Sequence, residues 1–389
     1  MPARGVSQEG LSSALAAPRA SVPGREPLAA PHGRSAPGPK FEANPAYAAL
    51  DLGTNNCRML VAVPRAGGFR IVDSVSRSVS LGADLERTGR LSSAGAGRVL
   101  RAMQLCAHKL RKHGVERHEL VATQACRQAA NAADVLTAVK RDTGLSLQII
   151  RPELEARLAL TSCAPLVAPE ADHLMVFDIG GGSTELILLD LRGVPAQARR
   201  KAVLELAPLK GSLASTGRLG ARILDWISVP LGVATLHQKF QDVADDRARF
   251  ALMSRHFEEL VASFAAAGAD MPSFSPMQMI GTSGTVTTIA AASLGLQRYN
   301  RDRVDGAWLD RTRIEEIVAG FLGLSYRDRT RHPAIGANRA RLIVSGIAIL
   351  QTFLRLWPVE RLRVADRGLR EGLLYAMMNE DGHYPGGLG

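Results

Sequence analysis

The chain has 389 residues, 46% of them apolar and 22% charged. That is too long for one ordinary core and ordinary in charge content, so two folded units are expected. The net charge is +11, which suits polyanionic partners such as polyphosphate, phosphorylated nucleotides or nucleic acid without choosing among them, and equally suits a solvated Arg-rich surface; no run of about 18 apolar residues exists, so no membrane span is expected.

Residues 1–45 are rich in Pro, Ala, Gly and Arg and read as a disordered tail, a cleaved targeting segment being the alternative. The clearest organisational signal follows. Residues 47–56 read YAALDLGTNN and residues 174–183 read LMVFDIGGGS. Each is an apolar run, then Asp, an aliphatic residue, Gly and small or polar residues, and each leads into a second apolar run. This predicts a β-hairpin with a glycine-rich tip, twice. Between the copies, 94–111 has helical periodicity, 120–123 reads as a strand entering a helix around 129–140, and 147–150 as another strand. Later, 277–280 is a short strand entering Gly281-Thr282-Ser283-Gly284-Thr285. Residues 340–356 and 369–378 read as the last helices. The expectation is an α/β protein of two lobes, 46–160 and 161–380, around a cleft, with a flexible tail at 381–389.

Glycine at Gly53, Gly180, Gly181 and Gly182 lets backbone N–H groups close around an anion, and Thr54, Asn55, Asn56, Ser183 and Thr184 add donors. One such loop is a plain hairpin turn as readily as a phosphate cradle; two matched copies, each opened by Asp at a strand end, favour phosphate. Asp51 and Asp178 would be repelled by that phosphate unless a divalent cation, most simply Mg²⁺, lay between. Gly281, Ser283 and Gly284 form a third small-residue loop, readable as a phosphate site or as a helix cap. In RPELEAR, Glu153 and Arg157 fall on one helix face and Glu155 points elsewhere. Arg127 reads as a phosphate ligand or as surface charge. The four cysteines, Cys57, Cys106, Cys126 and Cys163, lack metal spacing and suit a reduced, cytoplasmic setting.

Taken together, ALDLGTNNCRMLVA, LVATQACRQAAN, ELEARLAL, VFDIGGGSTELIL, SVPLGVATL, MIGTSGTVTTIAA and RGLREGLLY resemble the exopolyphosphatase / guanosine pentaphosphate phosphohydrolase family of the actin-like superfamily. The segments run in the family's order over residues 47–376. The resemblance implies two actin-like (ribonuclease H-like) lobes with phosphate bound in the cleft and Mg²⁺-dependent removal of a terminal phosphate. It makes Glu155 the general base that orients water, Glu185 an acidic residue lining the metal site with Asp51 and Asp178, and Arg127 a phosphate contact. Two departures stand out. The first loop reads Thr54-Asn55-Asn56-Cys57-Arg58 where many members have Ser-x-Ser, and Arg341 stands where members commonly carry Asp. Long members carry a further helical domain, so the chain reads as a short member.

The leading expectation is therefore an exopolyphosphatase, with guanosine pentaphosphate as the alternative substrate. A small-molecule kinase of the same superfamily would share the loops but transfer phosphate to an acceptor. A nucleotide- or nucleic-acid-sensing protein finds little support, since five Tyr, three Trp and ten Phe offer little for base stacking. Clusters 199–201 and 327–331 are basic enough to line a polymer channel, or are solvated loops. A homodimer is compatible with the sequence, which does not fix the oligomeric state.

Overall fold

The computed structural model describes residues 45–383, apart from 66–67, 84, 207, 210–213 and 269–275. The expected tails, 1–45 and 381–389, fall outside the described residues except for Pro45 and 381–383. The latter are tied down: Tyr47 Oη donates to Asp381 Oδ2 (2.9 Å) and the His383 ring stands edge-on to Tyr47.

Two sheets organise the chain. The first has the order β3-β2-β1-β4-β5, from β1 (Tyr47–Leu52), β2 (Asn56–Arg65), β3 (Gly68–Ser78), β4 (Arg117–Ala122) and β5 (Gln148–Ile149). The second comprises β6 (His173–Ile179), β7 (Thr184–Asp190), β8 (Arg222–Val229), β9 (Met277–Thr282), β10 (Trp308–Asp310) and β11 (Arg361–Ala365), in the order β10-β11-β9-β6-β7-β8. Read from β8, the second sheet repeats the first: two antiparallel pairings, then two parallel ones. The internal echo in the sequence is thus a repeated fold, the two-lobed α/β architecture expected of an actin-like chain. Both echo segments form antiparallel hairpins as the glycine-tipped pattern predicted.

The leading strands are apolar apart from His173 and the aspartates near their ends because both their faces are covered. In β1, Ala48, Leu50 and Leu52 join the core under the helix Ser93–Lys112, while Tyr47 and Ala49 join a separate core on the other face. In β6, Met175, Phe177 and Ile179 enter one core and Leu174 and Val176 another. The period of two along each strand sorts these side chains.

The helix Pro152–Cys163 opens with Pro at its first turn and Glu153 and Glu155 beside it, a favourable start for a helix N-terminus. Its Leu158 lies in the core of the first sheet and its Leu160 and Cys163 in that of the second. The last helix, Leu369–Glu380, packs along it and on β1. This corrects the expected partition: 369–380, assigned with the second lobe, completes the core of the first. The approach is closest at Gly372, whose missing Cβ would strike the backbone carbonyl of Leu158. Gly372→Val is therefore expected to destabilise the fold by roughly 1–3 kcal/mol, as overpacking does, read as a lower denaturation midpoint at unchanged m-value.

Boundaries shift in three places. The helix expected around 129–140 divides into Gln124–Gln128 and Ala132–Thr143, the strand 147–150 shrinks to β5, and the helix 340–356 begins at Ile343. The basic clusters divide as well. Arg199 and Arg329 are buried, held by Asp172 and Asp246, and so line no channel. Among the described residues no helix is long and apolar enough to cross a membrane.

Candidate active site

The two glycine-rich tips close identically. Gly53 N donates to Asn56 O and Gly180 N to Ser183 O, each at 2.9 Å. The tips also face one another. A Cβ on Gly182 would lie 2.6 Å from Thr54 Oγ1, and one on Gly181 2.9 Å from Asn55 Nδ2, so only glycine permits this approach. The second tip is braced from behind by the helix Val233–Lys239, whose Val233 and Ala234 N–H groups donate to Gly180 O and Gly181 O (2.9 and 2.8 Å). Among the described residues the N–H groups of Thr54, Asn55, Gly181, Gly182 and Ser183 find no protein acceptor. Such converging, unspent donors suit an anion. The loops, with β9 and the start of the last helix, enclose a cleft of about 320 Å³.

Carboxylates crowd the floor. Asp51, Glu155, Asp178 and Glu185 all line the cleft. Burial pushes Asp178 up to about 7 against a hydrogen bond from Thr282 Oγ1 (3.1 Å), with Asp51 adding to the rise. Asp51 is raised by the same desolvation, opposed by Arg370 and Arg58, and its Oδ1 is buried with no partner. Glu185, across the hairpin from Asp178, is raised by burial and then by Glu155, while accepting from Ser228 Oγ (2.9 Å). Among the described residues no three His, Cys, Asp or Glu side chains sit close enough to hold a metal by themselves.

Glu155 is the most constrained of the set. Burial raises it to about 7, Arg127 opposes the rise, and Asp51 and Asp178 add to it. Arg127 Nη1 donates to Glu155 Oε2 (2.7 Å) and to Ile150 O (2.9 Å), and its other nitrogens donate to Gln124 Oε1. Arg127, expected to touch phosphate, thus stands behind Glu155 and outside the cleft lining, where it fixes the carboxylate's direction. Glu153 and Arg157 pair at 3.0 Å, the i,i+4 contact that the spacing predicted.

The third loop carries both of its readings. Ser283 caps the helix Gly284–Ser293, its Oγ accepting from Thr285 N and Val286 N at 3.1 Å, and Ser283 and Gly284 also line the cleft. Gly281, by contrast, is packed against the Phe177 ring inside the second lobe. Asn56 and Ser183 line the cleft, while Thr184 turns away and donates to Leu231 O.

Sequence reasoning missed the cations opposite the carboxylates. Arg58, Arg339, Arg367 and Arg370 line the cleft. Among the described residues Arg58 and Arg370 form no ion pair or hydrogen bond, while Arg339 Nη1 donates to Thr288 Oγ1 and Arg367 is bound to Asp305. The walls of the cleft crowd Arg58, and this desolvation, then the charge of Arg370, pulls its guanidinium down. A signal existed: Arg58 is paired in register with Asp51, directly beyond the first glycine tip. Arg341 does not line the cleft. It donates to His237 Nε2 (3.1 Å) on the helix that braces the second tip.

The sequence profile of the Ppx/GppA phosphatase family matches residues 60–381. The chain belongs to this family. A Ppx/GppA relative of Aeromonas salmonicida, named guanosine-5'-triphosphate,3'-diphosphate pyrophosphatase, is 27% identical over 338 residues, covering 87% of this chain and 60% of the relative. The chain thus spans about three fifths of the curated relatives it matches. The crystal structure of the Aquifex aeolicus Ppx/GppA member is 26% identical and superposes with a TM-score of 0.69, covering 87% of this chain and 99% of that one. An exopolyphosphatase from Cytophaga hutchinsonii superposes with a TM-score of 0.72 over 86% of this chain and 98% of its own, at 21% identity, a likeness of fold. The matched profile begins inside β2, past the first glycine tip. The likeness of that tip to the second therefore rests on their common closure and their contact.

Proposed function

We propose that the protein hydrolyses the terminal phosphoanhydride of inorganic polyphosphate. The observation that carries this reading is Glu155, a buried carboxylate held by Arg127, raised to about 7 and lining the same cleft as the two facing glycine-rich tips. The terminal phosphate rests on the free N–H groups of the two tips. Glu155 takes a proton from a water molecule aimed at the terminal phosphorus; the new P–O bond forms as the anhydride P–O bond breaks, leaving the electron pair on the shortened chain. Arg58, Arg339 and Arg370 offset the charge that spreads over the transferring oxygens. Arg127 acts through Glu155.

The residues present fit a divalent cation of the Mg²⁺ kind. Asp51 Oδ1 lacks a partner, Asp51 and Asp178 are both raised by burial, Asp178 further by the charge of Asp51, and no three-carboxylate cage exists among the described residues. Mg²⁺ takes one or two carboxylates, waters and substrate oxygens rather than a dedicated cage. Asp51 and Asp178 would hold it directly, with Glu185 behind them. The chemistry supplied by the bound ion is charge neutralisation on the phosphoryl oxygens. The four buried free thiols agree with a cytoplasmic setting.

Guanosine pentaphosphate is the second reading, favoured by the name of the Aeromonas relatives. Phosphate release from long-chain polyphosphate and from guanosine pentaphosphate, each with Mg²⁺, tests both. Polyphosphate is expected to give the larger kcat/KM. The reverse order would make the nucleotide the substrate, and turnover of neither would end the hydrolase reading. Transfer to an acceptor from ATP would instead identify a kinase.

A further inference from the structure

Trp308 lies on β10, the edge strand of the second sheet, and is 37% exposed. Among the described residues its indole belongs to none of the hydrophobic cores. What it packs against is charged. The guanidinium carbons of Arg361 and Arg363, on the adjoining β11, each lie 4.8 Å from its ring centroid. Arg363 is its direct partner across the strands, and Arg361, two residues away, projects to the same side.

These two cations are uncompensated. Among the described residues neither forms an ion pair or donates a hydrogen bond, and Arg363 Nε is buried without a partner. The nearby acids do not answer them: Asp305 is engaged by Arg367 at 2.8 Å, and Asp310, opposite Arg361 in register, makes no ion pair with it. Burial pulls the Arg363 guanidinium down, Asp305 opposes, and Arg200, Arg361 and Arg367 all act in the same sense as burial, which places a group of like charges around one point.

Holding two guanidiniums side by side is unfavourable, and an aromatic face returns only about 0.5–1 kcal/mol for each exposed cation–π contact. Stacking has a second effect, however. It fixes the guanidinium planes while leaving their edge N–H donors free, the arrangement that recognises phosphoryl oxygens two at a time. The strand β11 itself runs toward the cleft, although on that side Ala365 is buried in the core. Ala365 follows Arg363 by two residues, and Arg367, two further on, lines the cleft. At a rise of about 3.3 Å per residue, Arg363 and Arg361 stand roughly 13 and 20 Å from Arg367 along the chain.

We infer that Arg361, Arg363 and Arg200, organised by Trp308, form a second oxyanion-binding surface that holds the distal segment of an inorganic polyphosphate chain whose terminal phosphate occupies the cleft. This rests on the hydrolase reading of the cleft. It makes the edge of the second sheet a length gauge: a long chain engages both sites, whereas tripolyphosphate fills the cleft and stops short.

The test compares wild type with Arg361→Gln/Arg363→Gln in the full chain, on long-chain polyphosphate and on tripolyphosphate. The KM for the long chain is expected to rise at least about tenfold, with a salt dependence of binding weaker by about two charges. The kcat, and kcat/KM for tripolyphosphate, are expected to stay unchanged. The Arg361→Lys/Arg363→Lys variant, which keeps charge but loses the stacked planes, should fall between. An equal loss on both substrates, or none on the long chain, overturns the inference, as does duplex DNA that displaces long polyphosphate from the surface at matched salt. If wild type cleaves neither substrate, the hydrolase reading fails on its own. The surface is then judged by equilibrium binding of long polyphosphate: weakened by the double Gln change it stands as a binding site, and unweakened it falls.

Discussion

Glu155→Gln is expected to lower kcat by about 10²–10⁴-fold on whichever phosphoanhydride the protein cleaves, the range over which a positioned general base contributes. Glutamine keeps the shape of the side chain and can still accept from Arg127, so the fold should survive and circular dichroism should be unchanged. The pH profile gives the sharper result. A base must be deprotonated to act, and burial holds Glu155 up to about 7. Wild-type kcat/KM should therefore rise with pH through the neutral region and level off above it, and the variant should lose that limb. Arg127 separates two roles. It lowers Glu155 by its charge and its hydrogen bond, so Arg127→Met should move the limb to higher pH, with activity near pH 7 depressed and recovered near pH 9. An arginine that bound substrate would instead raise KM at every pH, and that outcome would remove the positioning role.

The second large effect concerns the acidic floor. Glu155 and Asp178 are both raised to about 7 by burial, whereas unfolding returns them to ordinary carboxylate values of about 4. Between roughly pH 4 and pH 7 the folded state binds more protons than the unfolded one at these two carboxylates, and their contribution to stability falls as pH rises through that window. For Glu155 alone the shift corresponds to roughly 3 kcal/mol as an upper bound. His173, His237, His256 and His332 are lowered by burial and act in the opposite sense, so the carboxylates are read by difference: in chelator, wild type is expected to lose more melting temperature between pH 5 and pH 8 than Asp51→Asn/Asp178→Asn. Adding Mg²⁺ at pH 8 should recover much of the loss, by about 2.7 kcal/mol at a hundredfold excess over Kd, and should recover less at pH 5, where protons already neutralise the site. A melting temperature that ignores Mg²⁺ at pH 8, or an Asp51→Asn/Asp178→Asn variant that still responds, would remove the metal from this position.

Much of this was legible in the residues because the chain states it twice. A strand buried on both faces must be apolar along nearly all its length, and a glycine tip pressed against the side chains of a facing loop, as Gly181 and Gly182 are, has little room for a Cβ; the first constraint leaves local marks at 47–56 and 174–183, the second at 181–182. Glu155 was readable through the resemblance alone, because helix spacing points it away from Glu153 and Arg157 and says nothing of what lies there. Arg127 stays open between phosphate ligand and surface charge in the residues, and only the resemblance implies a phosphate contact, because a lone arginine after a strand does not disclose which carboxylate folding brings to it across 28 residues. Arg339 and Arg370 were missed for the same reason. They come from the far end of the chain, Arg339 from the second lobe and Arg370 from the last helix that packs on the first sheet, and only the completed fold delivers them to the cleft.

The return of the last helix to the first sheet has a consequence for how the chain assembles. The face of β1 carrying Tyr47 and Ala49 is covered by Leu369, Leu373, Leu374, Met377 and Met378, more than 300 residues downstream. During synthesis, which proceeds from the N-terminus, that apolar face has no native cover until the second lobe has largely emerged. The first lobe cannot mature as an independent unit. Its closure is among the latest events in folding, and the nascent chain depends until then on the second lobe, or on a chaperone, to keep β1 from aggregating.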